Sequence, residues 1–482
     1  MRGMSRRQFI RGASGAVAAG PLVAGVLARA QDAPGAEWRT GPYLLLDDEL
    51  VAGAPGLTRV VCAPSRLPDP IATGYEDGCF QPYLTVVRDA ATGRYRIWYG
   101  SPRSPNNTSE TSIAYMESDD GVHWIRPHRV LRDPAPIQFG SSVIDEGPAC
   151  ADPSKRYKLG WWKDGGLQVA ASADGLEWTT LANGPVVRAN HDIASIHWDP
   201  IRSRYVACLS MVSSSGRWAN LRIPHQSVSD DLLNWEEPWP TVTPDETAEI
   251  ERGETQFYGM SGIVARGEIL VSLVKVLRDD RNCEPGMTAT ELRDPGRPFA
   301  GIGYTVVAWS RDGRTWRRET QPFLDRNPEP GTWDRAMAWG DDQLVESGFT
   351  LIYYGGYRWG HKAERFTGRQ IGFAHMRRDR YVGYSASAGR GILRTVPRLL
   401  GDAVQVTVNA RVDPPGGELR ARVVDDSGAP ITGFDWDDCR PAVGDLVDHP
   451  IAWRGLNATL RGRVVAYEFS VANGTVFAFE VR

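Results

Sequence analysis

Acidic residues stand beside apolar, strand-like runs at the same stage of successive units of this chain. They are Glu76 and Asp77 in YEDGCF, Asp145 in SSVIDEG, Asp192 before IASIHW, Glu254 in GETQFYGM, and Asp334 in the triplet Trp333-Asp334-Arg335. Carboxylates brought together in this way can cleave a glycosidic bond. One acts as nucleophile or base and a second donates the proton, while a third can hold the donor's pKa up. Asp77, Asp192 and Glu254 are the expected catalytic set, with Glu76, Asp145 and Asp334 in support. Taken singly, each acid reads better as a turn cap or a surface partner of Arg. Their recurrence is what favours chemistry.

His191, Arg335, Trp339, Tyr357, Trp359, His361 and Arg369 are candidate substrate contacts. Arg and His bind hydroxyls or an acidic sugar, and flat rings cover the apolar faces of sugars. The competing reading for each aromatic is packing between sheets. No metal triad, phosphate-cradling glycine loop or G-x-S-x-G elbow stands out, so no metal and no cofactor is expected from the motifs. Six Cys (62, 79, 150, 208, 283 and 439) are spread without a CxxC pair, which argues against a zinc cluster and leaves disulfide pairing open.

The elements that must position these residues are short strands. The string S-x-D-G/L-x-x-W occurs at Ser118–Trp124, Ser172–Trp178, Ser229–Trp235 and Ser310–Trp316, each time after a strand-like run. Asp and Gly supply a hairpin turn, and the Trp opens the next strand. Asp120, Asp174, Asp231 and Asp312 are therefore turn formers, as are Asp89, Asp152 and Asp199 in the Asp-led turns that precede Tyr95, Tyr157 and Tyr205. A repeat of this length, built from four short strands, predicts a propeller. The units are 69–130, 131–185, 186–240, 241–323 and 324–388, with an insertion from Arg278 to Pro298 in the fourth and a degenerate hairpin closing the fifth. Residues 389–482 alternate with period two and lack the repeat, which suits a small β-sandwich. The fold class expected is all-β: a five-bladed propeller over 69–388, an N-terminal extension (31–68) packed on it, and a C-terminal sandwich.

The first thirty residues read as an address. Arg2, Arg6, Arg7 and Arg11 precede an apolar, Gly- and Ala-rich stretch, SRRQFI fits the twin-arginine pattern, and Ala28-Arg29-Ala30 is a small-x-small cleavage site. A periplasmic or extracellular location without stable membrane insertion is expected. Losing this segment removes five Arg and no acid, so the formal charge of −4 becomes more negative still. With no basic run after it, nucleic acid is excluded as a partner. The oligomeric state is not legible.

The hairpin box, above all Ser229-Asp-Asp-Leu-Leu-Asn-Trp235, resembles glycoside hydrolase families 32 and 43. The segments YLLLDDELV, GRYRIWY, HWDPIRSRYVA and ITGFDWDDC…HPIAWRG resemble a group of exported bacterial proteins labelled family-32-like. That resemblance implies a five-bladed propeller acting on poly- or oligosaccharides, and it allows a calcium on the axis that the spacing does not demand. One position departs from it. Where those families carry an acid, commonly in Asp-Pro, this chain has Gln81-Pro82, and the Asn-Asp-Pro-Asn motif is absent. Two alternatives therefore stand beside a glycoside hydrolase: a glycan-binding propeller without catalysis, and a sialidase-like enzyme, for which no Arg triad is evident.

Overall fold

The computed structural model describes residues 37–73, 81–104, 107–128, 139–287, 298–363 and 368–482. The fold is all-β, and its helical content is a few short 3-10 turns. Residues 1–36, Glu76, Asp77, Cys79 and residues 288–297 of the 278–298 insertion lie outside the described residues.

Antiparallel strands run consecutively in each unit. The first sheet is Gln81–Arg88, Tyr95–Ser104, Asn107–Ser118 and Ile125–His128; the second is led by Phe139–Asp145 and the third by Ala194–Asp199. A nine-stranded sheet holds two such units, led by Thr255–Arg266 and Met337–Val345 and joined by a single parallel bridge between Gly303 and Met337. The five leading strands touch in cyclic order, the fifth meeting the first. All five line one axial cavity of ≈30 Å³, room for one or two waters.

Short side chains stitch these inner strands together where no ladder can. The amide of Val143 donates to Thr85 Oγ1 (3.0 Å), Ile196 N to Ser142 Oγ (2.6 Å), and Val86 N to Asp342 Oδ2 (2.7 Å), while Ser261 Oγ donates to the Gly340 carbonyl (3.1 Å). The bond from Val86 to Asp342 joins the fifth inner strand to the first.

Every hairpin box folds alike. In the first, Ser118 Oγ accepts from Gly121 N, and Asp120 Oδ1 accepts from the amides of Val122 and His123 at 2.9 and 2.8 Å. The Asn234 amide and side chain and the Leu233 amide hold the Asp231 carboxyl down at about 2. These acids are turn formers, and Asp89, Asp152 and Asp199 accept from their own loop amides in the same way. The fourth box position needs a left-handed backbone, with φ of +78°, +77° and +68° at Gly121, Gly175 and Gly313. Leu232 adopts φ +68° in the third box, a conformation costing about 1–2 kcal/mol for a side-chain-bearing residue, offset by burying its isobutyl group between the second and third sheets.

The chain ends share the remaining sheet. Ser65–Arg66 and Ala72–Thr73 pair with Arg369–Arg377 and complete the fifth unit from the N-terminal side. The segment after Arg377 forms no hairpin. Its strand Val382–Thr395 instead enters a ten-stranded sheet with Val464–Val481 and the N-terminal strands Val51–Gly53 and Thr58–Val61. One apolar core containing Trp38, Tyr43, Tyr467, Phe469 and Phe479 fills that sheet.

The axis carries charge. Lys275 is buried in an ion pair with Asp341, and its ammonium lies 4.9 Å from the Tyr83 ring centroid. The place where the family resemblance would put a calcium thus already holds a fixed ammonium. Among the described residues there is no group of three or more His, Cys, Asp or Glu that could hold a metal. Burial, only partly opposed by Lys275, pushes the Asp341 carboxyl up to about 6. Burial likewise pushes Asp342 up to about 7 against the amides of Val86 and Gln343.

Both folded values lie above the unfolded one, about 3.9. The stability these acids contribute is therefore fully present below about pH 4 and lost as pH rises through 6 to 7. Burial depresses His197 to about 4, so its contribution runs the other way and is lost as pH falls below 6.5. Replacing Lys275 by Met leaves Asp341 buried without its partner, and a loss of about 3–5 kcal/mol at pH 8 is expected. At pH 5, with Asp341 protonated, the loss should be smaller by at least ~1 kcal/mol. Urea unfolding at the two pH values checks this, and equal losses would refute it. Trp178→Ala should cost about 3–5 kcal/mol. Trp235 is only half-buried, so the same substitution there should cost clearly less.

Candidate functional site

The heads of the inner strands converge on a buried aromatic cluster, called the cup below. Tyr83 enters from the first strand, Tyr258 from the fourth, Trp339 from the fifth, and Tyr357 from the strand beside it. Tyr258 stacks on Trp339, with centroids 4.7 Å apart and planes inclined 29°, and Tyr357 meets Trp339 edge-on at 5.8 Å. His361 Nε2 lies 3.1 Å from the Tyr258 hydroxyl. Arg222 spreads over the Tyr258 ring at 4.8 Å, and Arg369 over Tyr357 at 4.7 Å.

Asp192 heads the third inner strand, paired with His191 and about three-quarters buried. Burial raises the Tyr258 hydroxyl above its usual value, and the Asp192 charge adds to this. Tyr83 is raised well above 10 by burial, then by Tyr258 and Tyr357, with Asp192 again contributing. Next to Asp192, Ile193 has φ +81°. A β-branched residue in that region is strained, and such strain persists where packing over-determines the backbone. Its carbonyl accepts from Ser210 N at 3.1 Å, and Gly140 lies close enough to leave no room for a Cβ beside Ala194. That packing fixes where Asp192 leaves the strand.

Behind the cup, Arg222 Nη1 donates to Gln256 Oε1 at 2.7 Å, and Gln256 Nε2 to Asp279 Oδ2 at 3.2 Å. Asp279 is buried, and its Oδ1 lies beside Gly301 with His361 next to it.

The structure therefore brings together Asp192, His191, Trp339, Tyr357, His361 and Arg369 from the sequence-derived candidates. Trp359 is half-buried against the same cluster. Other candidates are placed elsewhere. Asp145 closes the second inner strand, held by Arg156 at 2.6 Å and donated to by Gly147 N. Asp334 is buried against Arg66 (2.8 Å) and the Tyr354 hydroxyl (3.0 Å), tying the N-terminal strand to the fifth unit. Arg335 is buried in an ion pair with Glu284 at 2.9 Å. Glu254 stands on an exposed turn before the fourth strand, where its carbonyl accepts from Asp279 N. Asp145 and Asp334 took structural partners because Arg156 comes to the first from the turn before the next strand and Arg66 to the second from the strand Ser65–Arg66.

Tyr83, Tyr258, Arg222, Gln256 and Asp279 are not among the residues that the sequence singles out as site candidates. A signal for three of them exists: Gln81-Pro-Tyr83 and Gln256-Phe-Tyr258 repeat Q-x-Y at the heads of two inner strands. Arg222 and Asp279 carry none, since each sits at the end of a strand that reads as core.

Sheets arrayed around an axis, with an aromatic and carboxylate-bearing cluster at the heads of the inner strands, define an all-β protein. No family model matches the chain. Two uncharacterised proteins of Mycobacterium tuberculosis, strains CDC 1551 and H37Rv, are 28% identical over 185 residues, 36% of this chain and 48% of theirs. The chain thus spans about half the length of the curated relatives it matches. Solved structures similar to it include an N-acetylgalactosamine deacetylase from F. plautii in complex with blood group B trisaccharide (TM-score 0.45, 16% identity, 67% of this chain and 96% of that one). A thermostable family-43 glycoside hydrolase gives 0.44 and 14% over 62% and 89%, and an exo-β-1,3-galactanase from Phanerochaete chrysosporium 0.41 and 10% over 87% and 100%. Similarity at this level assigns neither reaction nor substrate.

Gln256→Leu removes at once the acceptor of Arg222 and a donor to buried Asp279. A loss of about 1–3 kcal/mol is expected, as for a buried polar group deprived of its partner. A urea midpoint unchanged from wild type would show that the network does not hold the cup.

Proposed function

We propose that this chain is an exported five-bladed β-propeller with a small sandwich built from both chain ends, and that it hydrolyses glycosidic bonds of poly- or oligosaccharides at the cup. The observation that carries this reading is Asp192: a carboxylate fixed by a strained neighbour, set among Tyr83, Tyr258 and Arg369 where five strands converge. The aromatic walls suit the apolar faces of a sugar ring, and Arg222, Arg369 and the histidines suit its hydroxyls. Twin-arginine export to the periplasm or beyond is part of the proposal. Among the described residues no helix is long and apolar enough to cross a membrane.

Asp192 needs a second acid. Glu76, Asp77 and Glu254 are the candidates from the sequence, and Asp279 is the one the structure adds. The exposure of Glu254 and the Gln at position 81 favour a second reading, a propeller that holds a glycan without cutting it.

The test is a panel of glycosides and polysaccharides assayed with the mature chain and with Asp192→Asn, Asp77→Asn, Glu254→Gln and Asp279→Asn. Asp192→Asn should lose at least ~100-fold in turnover, the scale of general acid–base catalysis, with unchanged melting. One further variant of the set should match it. Turnover that survives Asp192→Asn would exclude this site, and glycan binding with no turnover by wild type would establish the binding-only reading.

A further inference from the structure

A second cavity lies outside the cup, between the second and third sheets, with a volume of ≈580 Å³. That is within the range of small-molecule and oligosaccharide sites, and it far exceeds the ≈30 Å³ axial cavity. Its wall is formed by Trp235 and Met211, with Arg188, His225, Glu236 and Glu237 around them.

Each residue has a defined disposition. Trp235 is half-buried, and its Nε1 donates to the Leu232 carbonyl at 2.7 Å, which fixes the indole plane. His225 Nδ1 lies 2.9 Å from the Ile223 carbonyl, so that nitrogen carries the proton and Nε2 is left as an acceptor. Glu237 is exposed; Glu236 is shared with Arg314 at 2.9 Å. The segment that edges this groove, Arg188-Ala189-Asn190, runs straight into His191-Asp192 of the cup. Asn190 anchors that segment by exchanging two hydrogen bonds with the Val212 backbone, at 2.8 and 2.9 Å.

We infer that this groove is an accessory site for a neutral polysaccharide chain, one strand segment away from the cup. An indole beside a thioether offers an apolar platform for a sugar face, while the His225 nitrogen and the two carboxylates accept from hydroxyls. Arg188, Arg314, Glu236 and Glu237 balance in charge, so the groove carries no excess cation to draw an acidic polymer. The inference deepens the proposed hydrolase reading and rests on it, because a chain gripped at the groove and reaching the cup makes the substrate a polymer and not a short glycoside.

The experiment is native affinity electrophoresis of the mature chain in gels containing soluble arabinan, β-1,4-galactan, inulin or galactomannan, with polygalacturonate as the acidic control. At least one neutral polymer should retard wild type and polygalacturonate should not. Trp235→Ala and the surface variant Glu237→Ala should each weaken the apparent association, the former about tenfold or more, while Trp235→Phe, which keeps a flat ring, should recover part of it. Asp192→Asn should be retarded like wild type. Absence of retardation by all four neutral polymers, or retardation that Trp235→Ala and Glu237→Ala leave unchanged, would overturn the groove. If the glycoside panel shows no turnover but Trp235-dependent retardation persists, the hydrolase reading fails and the groove stands. If short glycosides are turned over without Trp235-dependent retardation, the groove fails and the hydrolase reading stands.

Discussion

The structure depends on five inner strands that meet in cyclic order without forming ladders with one another. Each inner edge carries amides and carbonyls that would cost about 1–3 kcal/mol apiece if buried unpaired. Thr85, Ser142, Ser261 and Asp342 supply the missing partners, one from each of four inner strands, all short enough to reach a neighbour's backbone without forcing the sheets apart. Asp342 differs from the others in being ionisable, and it sits at the junction of the last sheet with the first. The Lys275–Asp341 pair beside it places one fixed cation where the converging strands concentrate acidic groups.

The hairpin boxes close the same ring at the periphery. The Gly121 carbonyl of the first unit accepts from Tyr353 of the fifth, Gly175 of the second from Trp98 of the first, and Gly313 of the fourth from Gln226 of the third. Each turn therefore docks on the preceding sheet, and the contact needs the close approach that a missing Cβ permits. In the third box, Leu232 substitutes an apolar contact for that approach, and strain for space. Trp235 of this box is half-buried at the groove.

Closure also makes the cup. Once the strand heads are brought together, Tyr83, Tyr258, Trp339 and Tyr357 bury their rings against one another, with Arg222 over Tyr258 and Arg369 over Tyr357. The strain at Ile193 is sustained because the Ser210 amide and the neighbouring Gly140 leave its backbone no alternative. A carboxylate placed by such a framework keeps its direction without a partner chosen for that purpose alone.

The sequence by itself determined the strand-and-turn grammar. Ser, Asp, Gly and Trp in a seven-residue box specify a local turn through bonds within that box, so its Asp residues were legible as structural from spacing alone. Asp192 was legible as a candidate, because it precedes a strand in a repeat whose first strands must converge. Only the tertiary structure decided the rest. Whether an acid lines the cup or is neutralised depends on which Arg the fold delivers: Arg66 reaches Asp334 across 268 positions, and Arg156 reaches Asp145 from the next turn, 11 positions on. The completion of the fifth unit by Ser65–Arg66 and Ala72–Thr73 was hidden for the same reason: two residues of edge strand carry no periodicity, and their pairing is set by the open edge of Arg369–Arg377 that closure presents to them.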